Sequence, residues 1–311
     1  MSRVFRAESL LAIVRYIGSC ASAQSAIEFT VLDPDRGRGH HAGELIDGFV
    51  HRPWRVWIDL AERMSLRMLT PMPIAPNLVA LRFEPLVRAK RARDRGTERY
   101  GADSSFARIH KAEDPSFVLD LADALARIAL PASSRVLSLG VNTGDELALL
   151  MELGVSATFV GVDHSASALA VARGRFGANV ELVEADLAEP LAALGRFDLV
   201  TAIGVLQSST LDDRALVRRV VQDNLAADGS VIFGLPNCRY VDGETEYGAR
   251  MVNFTQPELG LLVKDAAFYR KYLQQHHRQV FVTGKHYLLV TAVPNRQQSV
   301  VDEPDSPRAA E

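Results

Sequence analysis

The sequence predicts an α/β fold: a doubly wound, mostly parallel sheet of seven strands that ends in an antiparallel C-terminal hairpin strand, preceded by an N-terminal α+β extension. Three observations carry this. From residue 114 onward, short runs of β-branched and apolar residues alternate with helical segments of about 10–15 residues, the pattern of right-handed crossovers between parallel strands. The last two runs are joined by Gly284-Lys285 alone, too short for a crossover, so they form a hairpin and one strand runs antiparallel. Before residue 114 the periodicity is broken and turn formers cluster.

In chain order, Ser9 caps a short amphipathic helix with Leu10, Leu11, Val14 and Ile17 on one face. Arg3, Arg6 and Ala21-Ser22-Ala23 mimic a leader. However, Glu8 and Arg15 confine the apolar run to about five residues, below the roughly 7–15 that a secretory core needs. Turns are expected at Asp33-Pro34-Asp35 and around Pro71, Pro73 and Pro76. Between them the spacing of Val56, Leu60, Met64 and Leu69 predicts a helix over 55–69, then a strand over 78–83 and a charged segment over 82–99. Asp114-Pro115, an N-cap followed by Pro at the first helical position, opens a helix running to about residue 129. Strands are expected at 135–139, 158–162, 180–183, 197–203, 230–235, 279–283 and 287–292, and helices at 145–153, 166–176, 212–226 and 256–275. The chain thus divides into an accessory or substrate region, 1–113, a main domain, 114–295, and a polar tail, 296–311, expected to be disordered.

Formal net charge is −3, so no overall field draws the protein to nucleic acid or an anionic membrane. Nothing approaches the roughly 20 apolar residues that span a bilayer, and two cysteines, Cys20 and Cys238, build neither a disulfide framework nor a metal cluster. The pairs His40-His41 and His276-His277 diverge on any regular element, so no metal site is expected. A cytoplasmic protein is the expectation.

In an open α/β sheet the ligand lies beyond the carboxyl ends of the strands, where strand order reverses. The first main-domain strand ends Ser138-Leu139-Gly140-Val141-Asn142-Thr143-Gly144. Gly140 permits a sharp turn, Gly144 a close approach at the helix start, and Asn142 tolerates positive φ better than most residues. The second strand ends in Asp163, with His164 and Ser165 after it; a carboxylate there accepts ribose hydroxyls, or caps the next helix unless Ser165 does so. The third strand ends near Asp186-Leu187, and the fourth runs into Gly204-Val205-Leu206-Gln207 at the same edge.

With these residues in place, the stretch from about 114 to 293 resembles the class I S-adenosylmethionine (SAM)-dependent methyltransferases, a Rossmann-like superfamily. The resemblance implies SAM as cofactor. It implies that Ser138, Gly140, Asn142 and Gly144 surround the methionine moiety, and that Asp163, with His164 beside it, holds the ribose. By the same likeness Asp186 meets the adenine amino group with Leu187 on the ring, and Gly204 to Gln207 floor the pocket near the methyl. Two positions depart from the family pattern: Ser138 stands where an acid is usual, and Asn142 where a glycine is; Glu146 could compensate for the first. The spacing Gly140-x-Asn142-x-Gly144 is not the G-x-G-x-x-G of an NAD-dependent oxidoreductase, which remains an alternative, as does a catalytically silent SAM-fold domain acting in protein interaction.

The acceptor, expected to be an O or N atom of a small molecule or a tRNA-type RNA, should meet loops after strands four and five. The connection 236–254 reads either as a substrate-facing lid or as an excursion packing on the N-terminal region. Asn237, Arg239 and Tyr240 are its candidate catalytic residues. His110, just before the domain's first helix, is another, in a segment where Tyr100, Arg108 and Lys111 could also line the pocket. The Arg-rich 82–99 segment reads as an RNA-phosphate patch or a solvated helix of mixed charge.

Overall fold

The computed structural model describes residues 3–20, 26–87, 101–104, 107–208, 210–248 and 262–295. The chain forms two compact units, Met1–Arg91 with Arg239–Tyr247, and Ala92–Cys238 with Gly248–Glu311.

The first unit opens with β1 (Arg3–Val4), α1 (Leu10–Cys20) and β2 (Ile27–Leu32). There follow β3 (Leu45–Ile46), β4 (Phe49–Val50), α2 (Trp54–Arg63), β5 (Leu66–Ala75) and β6 (Leu78–Pro85). Ser9 caps α1 as expected, its Oγ accepting the Ala12 N–H at 3.2 Å. A four-stranded sheet in the order β1-β2-β6-β5 packs over an aromatic core in which the Phe29 ring meets Phe5, Phe83 and Trp57 at 5.3, 5.6 and 5.9 Å. The helix expected over 55–69 stops at Arg63, and Ser65, at φ 56°, turns the chain into β5. Leu69 closes the helical spacing of Val56, Leu60 and Met64, but here Leu66 and Leu69 pair with Pro85 and Arg82 of β6. The Pro71 and Pro73 positions, which lack N–H groups, are tolerated because β5 is the sheet edge.

The second unit begins with α3 (Pro115–Ile128), where the Asp114 carboxylate accepts the Ser116 N–H, the expected cap. Then come β7 (Ser134–Leu139), α4 (Asp145–Glu152), β8 (Ala157–Asp163), α5 (Ala166–Phe176), β9 (Val180–Glu184) and β10 (Phe197–Ile203). After α6 (Asp213–Arg219), expected to run to residue 226, a wide π turn over Val220–Asn224 delivers the chain into β11 (Leu225–Pro236). Two backbone acceptors fix that turn: Asn224 donates to the carbonyls of Leu191 and Gly195 at 2.8 and 3.0 Å. β11 therefore starts five residues before the expected strand, with a register break opposite Phe197 and Leu199.

Next in the chain, β12 (Cys238–Val241) and β13 (Glu244–Tyr247) form a two-stranded hairpin assigned from Arg239 onward to the first unit. The chain closes with α7 (Leu262–Gln275), β14 (Arg278–Thr283) and β15 (Tyr287–Pro294). The seven strands lie in the order β14-β15-β11-β10-β7-β8-β9, with β15 antiparallel to both neighbours, as expected. Leu137, Val160, Val200 and Val231 are fully buried on its central strands, each such side chain contributing about 1.5–3 kcal/mol. Strand order reverses between β7 and β10, so their carboxyl tips border the crevice. The expected start of the last helix at 256–261, most of the 82–99 segment, Tyr100 and the 296–311 tail lie outside the described residues. Among the described residues no helix is long and apolar enough to cross a membrane.

Candidate cofactor site

The turn after β7 adopts left-handed backbone at Gly140 (φ 66°), Asn142 (φ 48°) and Gly144 (φ 90°). At its two glycines, neighbouring elements press so closely that a side chain is excluded. A Cβ on Gly140 would stand 2.3 Å from Val205 Cγ2, and one on Gly144 would stand 2.2 Å from Phe176 Cε2. The turn is tied to the tip of β8: the N–H groups of Gly140 and Val141 donate to the Val162 carbonyl at 2.8 and 3.0 Å, and that of Asn142 donates to Asp163 Oδ2 at 2.9 Å.

Asp163, 4% exposed, also accepts the Ser165 N–H on Oδ1 at 2.9 Å. The helix-capping role falls to Ser165, whose Oγ accepts the Ala168 N–H, so Asp163 is not spent on α5. A carboxylate offers about four acceptor directions, and one amide on each oxygen leaves directions for two ribose hydroxyls. The His164 ring lies 3.7 Å from Asp163 Oδ1. At the third tip, Asp186 is exposed and its Oδ1 accepts the Ala188 N–H at 2.8 Å, while Leu187 is 7% exposed and joins the sheet core. Ser138 is buried, with Gly161 and Thr201 as its register neighbours.

At the tip of β10, Gly204 (φ 76°) donates its N–H to the Gly234 carbonyl at 2.8 Å. Gln207, three residues on, is 8% exposed, yet neither Oε1 nor Nε2 has a hydrogen-bond partner among the described residues. A buried amide left without partners costs about 1–3 kcal/mol, and a polar ligand in the crevice would offset that. The orphaned amide, and the Asp163 carboxylate with acceptor directions to spare, fit a nucleoside cofactor.

The segment before α3 reaches this same edge. Lys111 forms an ion pair with the buried Glu146 in the first turn of α4, and the exposed His110 lies 3.2 Å from Asp145. Asp145 also takes Arg175; burial pushes its carboxyl up, but the hydrogen bonds from Arg175 and His110 outweigh burial and hold it below the ordinary carboxylate range. On the other flank, Asn237 donates Nδ2 to the Lys285 carbonyl at 3.1 Å, and its N–H meets the His286 carbonyl. His286 Nδ1 lies 2.9 Å from Asp114 Oδ2.

Most of the residues singled out in the sequence thus stand along one edge of the second unit. Arg239 and Tyr240 belong to the β12–β13 hairpin, which is part of the first unit. There Arg67 bridges Glu84, Asp242 and Glu244, and Ser65 donates to Glu246 at 2.5 Å. Of the two readings of the 236–254 connection, its described part takes the excursion. The Asp242-Gly243 pair, with φ of 51° and 82°, is the two-residue hairpin signal that reveals it. His286 was missed, because nothing around it in sequence marks it; its partner Asp114 reads locally as a helix cap.

A cavity of about 840 Å³ opens at the amino edge of the sheet, lined by Arg127, Arg270, Arg278 and Phe281 among others. It is away from the carboxyl tips of the strands, and two of its arginines are engaged within the fold. Arg278 is consumed by the carbonyls of Gly229, Ala226, Ala227 and His276, and Arg127 by Asp123 and the Phe281 ring.

Residues 136–229 match the family model described as a methyltransferase domain. The chain is similar to the carboxy-S-adenosyl-L-methionine synthase of Campylobacter concisus (strain 13826), 34% identical over 112 residues, which are 35% of this chain and 47% of that protein. It therefore spans about half the length of this curated relative. Among solved structures it is similar to an O-methyltransferase family protein from Burkholderia thailandensis (17% identity, TM-score 0.43, 64% of each chain covered). It is also similar to a TehB-like SAM-dependent methyltransferase from Corynebacterium glutamicum (16% identity, TM-score 0.39, 56% of this chain and 87% of that one). The family match falls on the glycine turn and the strand tips just described. Residues 136–229, which run from β7 through β10 and include their tips, thus match a methyltransferase domain.

Proposed function

We propose that the protein transfers the methyl group of SAM to an O or N atom of a small-molecule acceptor. The observation that carries the reading is the crevice between β7 and β10, where the Gly140–Gly144 turn, the Asp163 carboxylate tied to it and the orphaned Gln207 amide lie at one edge of the sheet. When bound, SAM supplies an already activated sulfonium methyl. The chain's own residues bind, align and exclude water. Asp163 accepts the ribose hydroxyls, Asp186 the adenine amino group, and the Gly140–Gly144 turn takes the amino-acid end. Gln207 orients the groups near the methyl.

A small-molecule acceptor is favoured by a net charge of −3, which provides no field for a nucleic-acid backbone, and by the relative whose name gives a modified SAM as its product. For a hydroxyl or amine acceptor the proton has to go to a neighbouring base. His286, held by Asp114 beside Asn237, is the best-placed group for it.

Calorimetric titration with SAM and S-adenosylhomocysteine tests the reading. We expect micromolar binding that Asp163→Ala weakens by at least about tenfold, two charge-assisted hydrogen bonds being lost. No heat with either compound would favour a silent domain instead.

A further inference from the structure

We infer that the Lys111–Glu146 ion pair is the receptor for the amino-acid end of the cofactor, Glu146 taking its ammonium and Lys111 its carboxylate. The inference rests on the SAM reading above and assigns two residues that the family match does not supply, one of them outside the matched 136–229 stretch.

The pair's position is the first argument. Glu146 projects from the first turn of α4, directly after the Gly140–Gly144 turn, and Lys111 arrives from the segment before α3. Lys111 then crosses toward the other side of the switch point. A Cβ built on Gly204, at the tip of β10, would stand 4.0 Å from both its Cε and its Nζ, and the Nζ is 5.9 Å from the Tyr287 ring centroid. Lys111 and Glu146 therefore lie together across the mouth where β7 and β10 diverge, not on a helix face pointing into solvent.

Burial is the second argument. The side chains are 23% and 10% exposed. Taking two charges out of water costs more than a well-packed apolar pair would, so such a pair earns little as a mere brace. Its place at a ligand crevice is better explained by what it can exchange. An α-amino acid carries one ammonium and one carboxylate. On binding, each protein charge trades its internal partner for the opposite charge of the ligand, and no charge is left uncompensated at any stage. The Gln207 amide, three residues beyond the Gly204 that Lys111 approaches, is buried and without a partner among the described residues, and points independently to a polar guest at this edge. Asp163 is taken by the ribose hydroxyls in the reading above, which leaves Glu146 as the buried acid beside the turn for the ammonium.

The test compares S-adenosylhomocysteine with 5′-methylthioadenosine, which keeps the nucleoside and the thioether but lacks the amino acid. Both are titrated calorimetrically into the full-length protein and into Lys111→Met, Glu146→Gln and the double variant. Single variants leave one buried charge unpaired and are prone to misfold; the double variant leaves none and carries the test if they do.

We expect the wild type to favour S-adenosylhomocysteine by about 100-fold or more, and each variant to lose about 10- to 100-fold of that affinity, as removal of a charge-assisted contact should. Binding of 5′-methylthioadenosine should stay within about twofold. Equal losses for both compounds, or an unchanged preference in the double variant, would overturn the inference while leaving the cofactor reading intact. A wild type that binds neither compound would remove the cofactor reading and this assignment together.

Discussion

Gly144 and Asp145 are adjacent, and each shows how one residue sets the site by a different force. At Gly144 the force is exclusion: φ is 90°, and an added Cβ would meet the Phe176 ring at 2.2 Å. Gly144→Ala therefore combines left-handed strain with overpacking, and should lower unfolding free energy by about 2–4 kcal/mol in urea titration. At Asp145 the force is charge. Its carboxyl is held below the ordinary range because Arg175 and His110 together outweigh burial. A depressed carboxylate contributes stability that is complete above its unfolded value and is lost as pH falls through its folded value. In melting scans from pH 7 to pH 2, Asp145→Asn should cost stability at pH 7, and the gap from wild type should close below about pH 4. A gap that stays constant with pH would remove charge as the cause. At this scale the sequence was legible wherever one residue type has one reason to be present, as with Asn142 at φ 48° or Ser165 capping α5. It was illegible where the partner is distant, as for His286 and Asp114, 172 positions apart.

Elements were legible when pattern and environment agreed. β10 and α5 begin and end where the apolar runs and caps place them, because each buries the apolar residues that the alternation encodes. The misread elements are those in which a local period was overruled by pairing. Leu69 closes the helical spacing of Val56, Leu60 and Met64, yet the edge of the β2–β6 sheet claims it as part of β5. Likewise the 236–254 connection was read by length and composition, and its Asp242-Gly243 hairpin signal was overlooked. The turn is the part of β12–β13 that depends on a single residue type. Gly243, at φ 82°, leaves no comfortable place for a side chain. Gly243→Ala should cost about 1–2 kcal/mol and speed proteolysis within 239–247. Unaltered proteolysis would show that the Arg67 contacts, not the turn, set the hairpin.

For the molecule as a whole, an α/β sheet whose strand order reverses between β7 and β10 makes one crevice, and the chemistry-bearing residues of the second unit gather along its rim. The first unit is discontinuous in sequence, since Arg239–Tyr247 belongs to it while lying between β11 and α7. A boundary drawn along the chain could not reveal that, because contacts define units and sequence order does not. The fold class followed from periodicity and one short hairpin link. The crevice followed from knowing where such sheets bind. Lys111 and Glu146 are each candidates in the sequence, but their pairing did not follow from it, since it joins residues from either side of β7.

Where the nucleoside sits decides the function, and a crystal structure of the protein with S-adenosylhomocysteine measures that. It should show both ribose hydroxyls within hydrogen-bonding distance of Asp163 and the amino-acid end beside the Gly140–Gly144 turn. A nucleoside bound in the arginine-lined cavity at the amino edge, or one at the strand tips with Asp163 turned away from its ribose, would contradict the SAM reading.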